Sequence, residues 1–177
     1  MNFNFTLFNK RIGLSAYARD VRHKYVSGYC NRTIDGLYII TLDYDDMDLD
    51  TVQGELNRLQ EDHALGDFYI FKSGGGYHGV CLDKVNFKEL LLIMENSSID
   101  INYMKVPLYS GKKLWVLRLT DKDNKSIEYV CKIPSSYESN VQSTAHANLL
   151  NTAFGLDIIL LNPDNEKHLK FASYPIS

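Results

Sequence analysis

The segment from Gly36 to Leu42 is the strongest β-strand signal in the chain, and acidic residues follow it at once. Its residues are mostly aliphatic, aromatic or β-branched, which suits a strand that is buried within a sheet. Asp43, Asp45, Asp46 and Asp48 stand directly after it. A buried strand must be covered by other elements, so the chain has to build a layered core, with carboxylates at the end of this strand open to a site.

The hydrophobic pattern of the whole chain predicts single helices that alternate with antiparallel strands. This order of elements is typical of an α+β fold in which helices back a sheet. The 177 residues and the 45% hydrophobic content suit one domain. We expect a single domain over residues 1–177, with a basic helix at 10–26, a central part at 36–133, and a C-terminal helix and short strands at 141–173. The other predicted helices follow Asp50, follow Asn86 and occupy 143–153, and the other predicted strands occupy 68–71, 77–82, 99–106, 113–119, 126–133, 158–161 and 169–172.

Charge is distributed unevenly along the chain, although the net charge is only −3. Residues 1–34 carry six bases and one acid, residues 35–66 carry nine acids and one base, and residues 67–177 carry twelve of each. A basic segment suits a polyanion and an acidic cluster suits divalent cations, so the net charge does not exclude a nucleic-acid partner. The alternative is an ordinary solvated surface on which charge is merely uneven.

The three cysteines and the N-terminus bear on the compartment. Cys30, Cys81 and Cys131 lie about fifty residues apart without a C-x-x-C pair, so we expect reduced, buried thiols and no structural zinc. The N-terminus lacks a basic-then-apolar leader, and no apolar run approaches the ~18 residues of a membrane span. We therefore expect a protein of the cytoplasm or of a host cell's interior that is not secreted and has no membrane partner.

The first candidate constellation is the pair of acids at the end of the buried strand. Residues two apart in a strand lie on the same face, so Asp43 and Asp45 can offer converging oxygens to Mg²⁺ or Mn²⁺. An acidic turn that only caps the next helix is the alternative, since Asp48 or Asp50 could serve as that cap.

The second constellation is the segment from Phe71 to Gly79, with three consecutive glycines at its centre. Backbone N–H groups of a glycine loop can bind phosphate oxygens, and Lys72, Ser73 and His78 add donors beside that loop. The loop is also what an antiparallel hairpin between two strands prefers. The sequence alone leaves both interpretations open.

The third constellation is Asp100, which stands among apolar residues at the start of a predicted strand. A lone carboxylate buried in a sheet costs several kcal/mol unless it is paired or binds a cation. A cation shared with Asp43 and Asp45 would meet that need. An exposed Asp at the edge of a strand is the alternative.

Taken in order, these three constellations resemble motifs I, II and III of the archaeo-eukaryotic primase superfamily. The matching elements are the hDhD pattern at Asp43 and Asp45, the Ser-Gly-Gly-Gly-x-His pattern that ends at His78, and the apolar-Asp-Ile-Asn pattern at Asp100. The likeness covers roughly residues 36 to 125. It implies an RRM-like, mostly antiparallel sheet backed by helices, as in the catalytic core of primase-polymerases.

The activity that the resemblance implies is template-directed nucleotidyl transfer, as a DNA primase or primer-extending polymerase that replicates a viral, plasmid or other mobile genome. Its cofactors would be two divalent cations, Mg²⁺ or Mn²⁺, and its substrate a nucleoside triphosphate. Its partners would be a single-stranded DNA template, a primer, and a helicase or accessory subunit supplied in trans. The residues implied are Asp43, Asp45 and Asp100 for catalysis and metal binding; Lys72, Ser73, Gly74, Gly75, Gly76, His78 and Arg118 for the nucleotide; and Arg11, Arg19, Arg22 and Lys24 of the basic helix for the template.

The chain also departs from the superfamily pattern. After the third motif, relatives show an Arg followed by Pro, Ser and a His-containing stretch, whereas this chain keeps only Arg118. Asp121 also follows an apolar strand and rivals Asp100 as the third carboxylate.

Two other functions fit the same sequence. The leading alternative is a non-catalytic domain that binds single-stranded nucleic acid and stacks bases on Tyr38, Tyr69 and Tyr77 of an RRM-like sheet. A nucleotidyl transferase or phosphohydrolase that acts on small molecules would use the same carboxylates.

Overall fold

Four antiparallel strands form the central sheet of the protein, in the spatial order Tyr38–Asp45, Gly76–Val85, Phe68–Lys72 and Glu128–Ile133. The computed structural model describes the backbone of residues 2–7, 10–15, 25–26, 28–119, 126–166 and 174–175, and the side chains of residues 28–119 and 126–166. The strands there are β1 (Asn2–Leu7), β2 (Lys10–Ser15), β3 (Tyr25–Val26), β4 (Gly28–Cys30), β5 (Tyr38–Asp45), β6 (Phe68–Lys72), β7 (Gly76–Val85), β8 (Val116–Arg118), β9 (Glu128–Ile133) and β10 (Tyr174–Pro175). The helices are α1 (Leu49–His63), α2 (Phe87–Glu95), α3 (Ile101–Tyr109) and α4 (Thr144–Phe154).

The predicted α+β class is confirmed, because an antiparallel sheet is backed by helices. The predicted hairpin is also confirmed, since β6 and β7 pair antiparallel across the glycine turn. In the remaining described pairs, β1 pairs with β2, β10 with β3 and β4 with β8. None of the helices in the described ranges is long and apolar enough to cross a membrane.

Alternate residues of β5 enter two different hydrophobic clusters, so both faces of the sheet are covered. Ile40, Leu42 and Tyr44 pack with α1 and α2 on one face. Ile39 belongs to the other cluster, which contains side chains from β4, β8 and α4. Each fully buried aliphatic side chain of this kind stabilises the fold by about 2 kcal/mol. The alternation ends at Asp43 and Asp45, where the face opposite Leu42 and Tyr44 becomes polar.

Side-chain caps fix where the first two helices begin. The Asp48 carboxylate accepts the backbone N–H of Thr51 at 2.9 Å, so α1 begins at Leu49 with Asp48, and not Asp50, as its N-cap. The predicted capping box of α2 is confirmed, because Asn86 and Glu89 each accept the other's backbone N–H at 3.0 Å. The first of these caps ends the acidic turn that follows β5.

Two predicted elements differ in the structure. The helix predicted over residues 10–26 is wrong at Lys10–Ser15 and Tyr25–Val26, which are strands, and residues 16–24 lie outside the described part of the chain. In the sequence, residues 2–7 alternate polar and apolar residues, which is typical of a strand. This strand pairs antiparallel with Lys10–Ser15, so the two segments form a hairpin. The strand predicted over residues 99–106 is also wrong, since Asp100 caps α3 there.

The C-terminal predictions are partly confirmed. The predicted helix at 143–153 is α4, and the predicted strands at 113–119 and 126–133 are the shorter β8 and β9. Residues 158–161 form no strand, because side-chain oxygens of Asn151 and Gln142 accept the backbone N–H groups of Ile158 and Leu161. The predicted strand at 169–172 lies outside the described residues.

His146 attaches α4 to the strand β4 from inside the protein. Its Nε2 lies 2.8 Å from the carbonyl oxygen of Cys30 and must donate to it, so its Nδ1 accepts from the hydroxyl of Ser143 at 2.7 Å. The ring is fully buried. The pKa of His146 is lowered to about 4, chiefly by burial and to a smaller extent by the charge of Lys84, although the Cys30 carbonyl and Asp164 act to raise it.

This buried ring predicts acid lability. Below pH ~6.5 the unfolded chain binds a proton at His146 that the folded chain does not bind until about pH 4. The free energy of unfolding should therefore fall by about 3 kcal/mol between pH 7 and pH 4 from this residue alone, and be insensitive to it above pH 7. Urea unfolding of the wild type and of His146→Gln across this range isolates the effect: the stability advantage of the wild type should shrink on acidification, and a constant difference would contradict the assignment.

Candidate active site

Three side chains form a row across one face of the sheet. Asp43 of β5 pairs with His78 of β7, which pairs with Phe71 of β6. His78 Nε2 lies 3.3 Å from Asp43 Oδ1, and the imidazole is only 6% exposed. The first and second predicted motifs therefore meet side by side at Asp43 and His78.

Asp45 lies two residues further on the same face, at the open end of the sheet. It pairs with Gly76 and is exposed to solvent, whereas Asp43 is half-buried. Partial burial raises the pKa of Asp45, and the negative charges of Asp43, Asp100 and Asp46 raise it further, with His78 opposing them. Carboxylates that crowd in this way hold surplus negative charge, which a cation would neutralise.

The glycine turn packs directly against this acidic end. Asp46 adopts a left-handed conformation with φ of 56°, and its N–H donates to the carbonyl of Gly75 at 3.0 Å. A Cβ at Gly75 would stand 3.5 Å from Asp45 Oδ1. Ser73 closes the turn, with its N–H donating to the carbonyl of Gly76 at 2.9 Å. The second predicted motif is therefore held against the first by backbone hydrogen bonds.

The structure shows a steric requirement for glycine at one position of this turn. None of Gly74, Gly75 and Gly76 is among the residues with positive φ, so the turn lacks the left-handed backbone that glycine permits. At Gly76 the requirement is space, because a Cβ there would overlap the carbonyl oxygen of Tyr44 on β5.

Asp100 meets Asp43 through the backbone. Its N–H donates to the carbonyl oxygen of Asp43 at 2.8 Å, beside the edge of β5. Its carboxylate caps α3: Oδ1 accepts from the N–H of Asn102 and Oδ2 from that of Tyr103, each at 3.1 Å. Asp100 thus lies next to the predicted pair, but both of its oxygens already accept hydrogen bonds.

Thr41 and Tyr103 are site residues that sequence reasoning missed. The Tyr103 hydroxyl lies 2.8 Å from Thr41 Oγ1, which makes a second connection between α3 and β5. Thr41, Asp43 and Asp45 share one face of β5, so the period of two in the sequence carried a signal for Thr41. No comparable signal marked Tyr103, because its segment was predicted to be a strand.

Lys72 lies on the face of the sheet opposite the carboxylate pair, and Arg118 lies in a different ladder. Phe71 lies on the same face of the sheet as His78. Lys72 is the next residue of β6, so it lies on the opposite face. Arg118 pairs with Gly28 in the separate β4–β8 ladder. The sheet therefore does not bring Lys72 to the carboxylates.

The predicted template residues and the rival carboxylate are only partly placed. Arg11 lies in β2, a strand and not the predicted helix. Arg19, Arg22, Lys24 and Asp121 lie outside the described residues.

The tyrosines of the alternative binding function are not all available. Tyr38 is 4% exposed and Tyr69 is 7% exposed, each within the core, whereas Tyr77 is partly buried. A ring can stack on a base only if one of its faces is open. Tyr38 and Tyr69 are buried in this structure, and they belong to clusters on opposite faces of the sheet.

The donor set fits Mg²⁺ better than a closed metal cage. Within residues 28–119 and 126–166 there is no group of three or more His, Cys, Asp or Glu side chains arranged to hold a metal ion. Mg²⁺ usually binds through one or two carboxylates and completes its shell with water and substrate phosphates. Asp43 and Asp45 supply such a pair.

Comparison with protein-family models, curated proteins and solved structures finds no match to this chain.

Proposed function

We propose that the chain is a template-directed nucleotidyl transferase, a DNA primase or primer-extending polymerase, that acts at the end of β5. The observation that carries this proposal is the packing of Asp43 and Asp45 against the glycine turn and beside His78. Crowded carboxylates next to a backbone turn and an imidazole suit a substrate that brings both phosphate and divalent cations.

Each residue has a distinct part in this proposal. Asp43 and Asp45 would hold the divalent cations, whose chemistry is activation of the attacking 3′-hydroxyl and neutralisation of the leaving pyrophosphate. His78, fixed by Asp43 at 3.3 Å, would donate a hydrogen bond to a phosphate oxygen. Ser73 and Gly76 would keep the turn against β5, and Asp100 would position Asp43 through its backbone N–H.

The proposal favours catalysis over a purely binding role. The face of the sheet that would bind bases in an RRM-like domain is covered, which removes support for that alternative. The acidic end of β5 would also repel a nucleic-acid strand unless cations were bound there. Metal-dependent phosphoryl transfer uses a site of this kind, in which cations must bind before a phosphate group can.

The test is an incorporation assay with single-stranded template, labelled nucleotides, and Mg²⁺ or Mn²⁺, with and without a primer. We expect labelled product that depends on template and metal and disappears with a chelator. Absence of product with every metal, while the oligonucleotide still binds, would favour a binding domain. Release of phosphate or pyrophosphate without any template dependence would instead favour a small-molecule enzyme.

A further inference from the structure

The helix α3 is weakly embedded in the protein. None of its residues is classed as buried, in contrast to α1, α2 and α4, each of which buries at least three side chains. Val106 is 61% exposed and Tyr109 is 84% exposed. Two exposed apolar side chains one helical turn apart, next to a pocket, make this helix a candidate binding surface.

A pocket of about 310 Å³ lies between α3 and the chain that leads to β8. Its walls are largely apolar, and a lysine and two neutral polar side chains complete them. This volume is at the lower end for ligand sites, which suits a flat ring system better than a large molecule. Residues that line it include Tyr103, Val106, Pro107, Lys112, Leu114 and Val116.

The charge around the pocket is complementary to a polyanion. Residues 101–119 contain Lys105, Lys112, Lys113 and Arg118 and no acidic residue. Lys112 lines the pocket, while Lys105 and Tyr109, together with the acidic Glu95, line a second groove of about 430 Å³ that α3 also borders. Aromatic and apolar surfaces that alternate with lysines are the usual surface for single-stranded nucleic acid, since bases stack and phosphates pair with cations.

The pocket is connected directly to the carboxylate site. Asn102, which lines it, donates its side-chain N–H to Asp100 Oδ1 at 3.3 Å. Tyr103, also in its wall, contacts Thr41 two residues before Asp43. A strand that binds along α3 therefore passes beside the end of β5.

We propose that the pocket beside α3 holds one base of a single-stranded nucleic acid, with neighbouring phosphates on Lys112 and Lys105. The inference rests on the proposed function, because it takes this strand to be the one copied or extended at Asp43 and Asp45. It adds a nucleic-acid surface on α3 to the basic N-terminal segment that the sequence suggested.

Binding is tested without catalysis, by fluorescence anisotropy of a labelled 12-nucleotide single strand in the presence of a chelator. We expect Val106→Glu, which puts a charge in the wall, and Lys112→Glu each to weaken binding at least ~10-fold, and Lys112→Glu to lower the salt slope by about 1. The matched controls are Ile159→Glu, at a 77% exposed apolar residue elsewhere, and Lys88→Glu, which changes the charge equally on α2. The controls should bind within about twofold of the wild type.

Photo-crosslinking of the wild type gives an independent test that no variant's folding can affect. A strand with one 5-iodouracil should crosslink to a peptide that contains Tyr103 or Tyr109. Equal binding by all four variants, crosslinks confined to other segments, or a free mononucleotide that binds as tightly as the strand would each overturn the proposal. Strand binding at α3 by a protein that incorporates no nucleotide would support this inference and refute the proposed function, whereas incorporation with unchanged binding by the variants would do the reverse.

Discussion

Replacing both Asp43 and Asp45 with Asn is expected to reduce nucleotide incorporation on the order of 1,000-fold without lowering the melting temperature. The loss follows because charge stabilisation by metal ions is worth several kcal/mol, and each 1.4 kcal/mol is tenfold in rate. Stability should hold or rise, since partial burial and then the neighbouring carboxylates raise the pKa of Asp45, so its charge is unfavourable in the folded protein. Primer extension and thermal unfolding of the same preparation measure both quantities.

The matched control is Asp62→Asn, which removes a carboxylate from the exposed surface of α1, where it pairs with Arg58 at 3.0 Å. That variant should keep the activity of the wild type and change stability by no more than about 1 kcal/mol. Equal activity losses in the Asp62 variant and the double variant would remove the special role of the β5 carboxylates.

Gly76→Ala is expected to destabilise the protein by about 3 kcal/mol or more and to abolish activity. The added Cβ would overlap the Tyr44 carbonyl oxygen, which is backbone and cannot move without separating β7 from β5. The separation would fall where Asp45 pairs with Gly76, so the carboxylates would lose their geometry as well. Urea unfolding gives the loss of stability directly.

Two control variants distinguish the effect of this overlap from a general effect of replacing glycine with alanine. Gly75→Ala places its Cβ at an ordinary distance, 3.5 Å from Asp45 Oδ1, and should change stability by less than about 1 kcal/mol. Gly54→Ala, in open space on α1, should stabilise the protein by up to about 1 kcal/mol. If Gly76→Ala were as mild as Gly75→Ala, the close approach of β7 to β5 would be wrong.

The strand β5 and the hairpin β6–β7 could be predicted from sequence because local signals agree there. Aliphatic and aromatic residues, a turn rich in glycine and an acidic end all indicate the same structure over residues 36–82. The spacing of two between Asp43 and Asp45 also fixed their shared face, which the structure confirms through the alternation of burial.

The segment after Asp100 could not be predicted in the same way, because two local signals disagree: an Asp is a good helix N-cap, whereas a Pro inside the segment disfavours a helix. Pro107 argues against a helix, yet α3 contains it near its C-terminal end. The helix forms because the Asp100 carboxylate accepts the first backbone N–H groups, a contact that becomes favourable once the Asp43 carbonyl fixes the backbone of Asp100. That last contact joins residues far apart in sequence.

The sequence also did not predict that both faces of the central sheet are covered by other elements. Tyr38 and Tyr69 are aromatic residues on which bases could stack, but both rings are buried. Tyr69 lies under β4, β8 and α4, which are far apart in sequence, whereas Tyr38 is buried on the other face beside Phe87 and Trp115. Local pattern predicts which residues share a face, whereas long-range packing decides whether that face is open.

The most direct test of the central claim is anomalous diffraction from crystals of the protein soaked with Mn²⁺ and a non-hydrolysable nucleoside triphosphate. We expect Mn²⁺ peaks against the carboxylates of Asp43 and Asp45, with a second peak about 4 Å from the first where two ions bind, and triphosphate density next to His78. Mn²⁺ and triphosphate bound elsewhere, with no peak at Asp43 and Asp45 at saturating concentrations, would contradict the central claim.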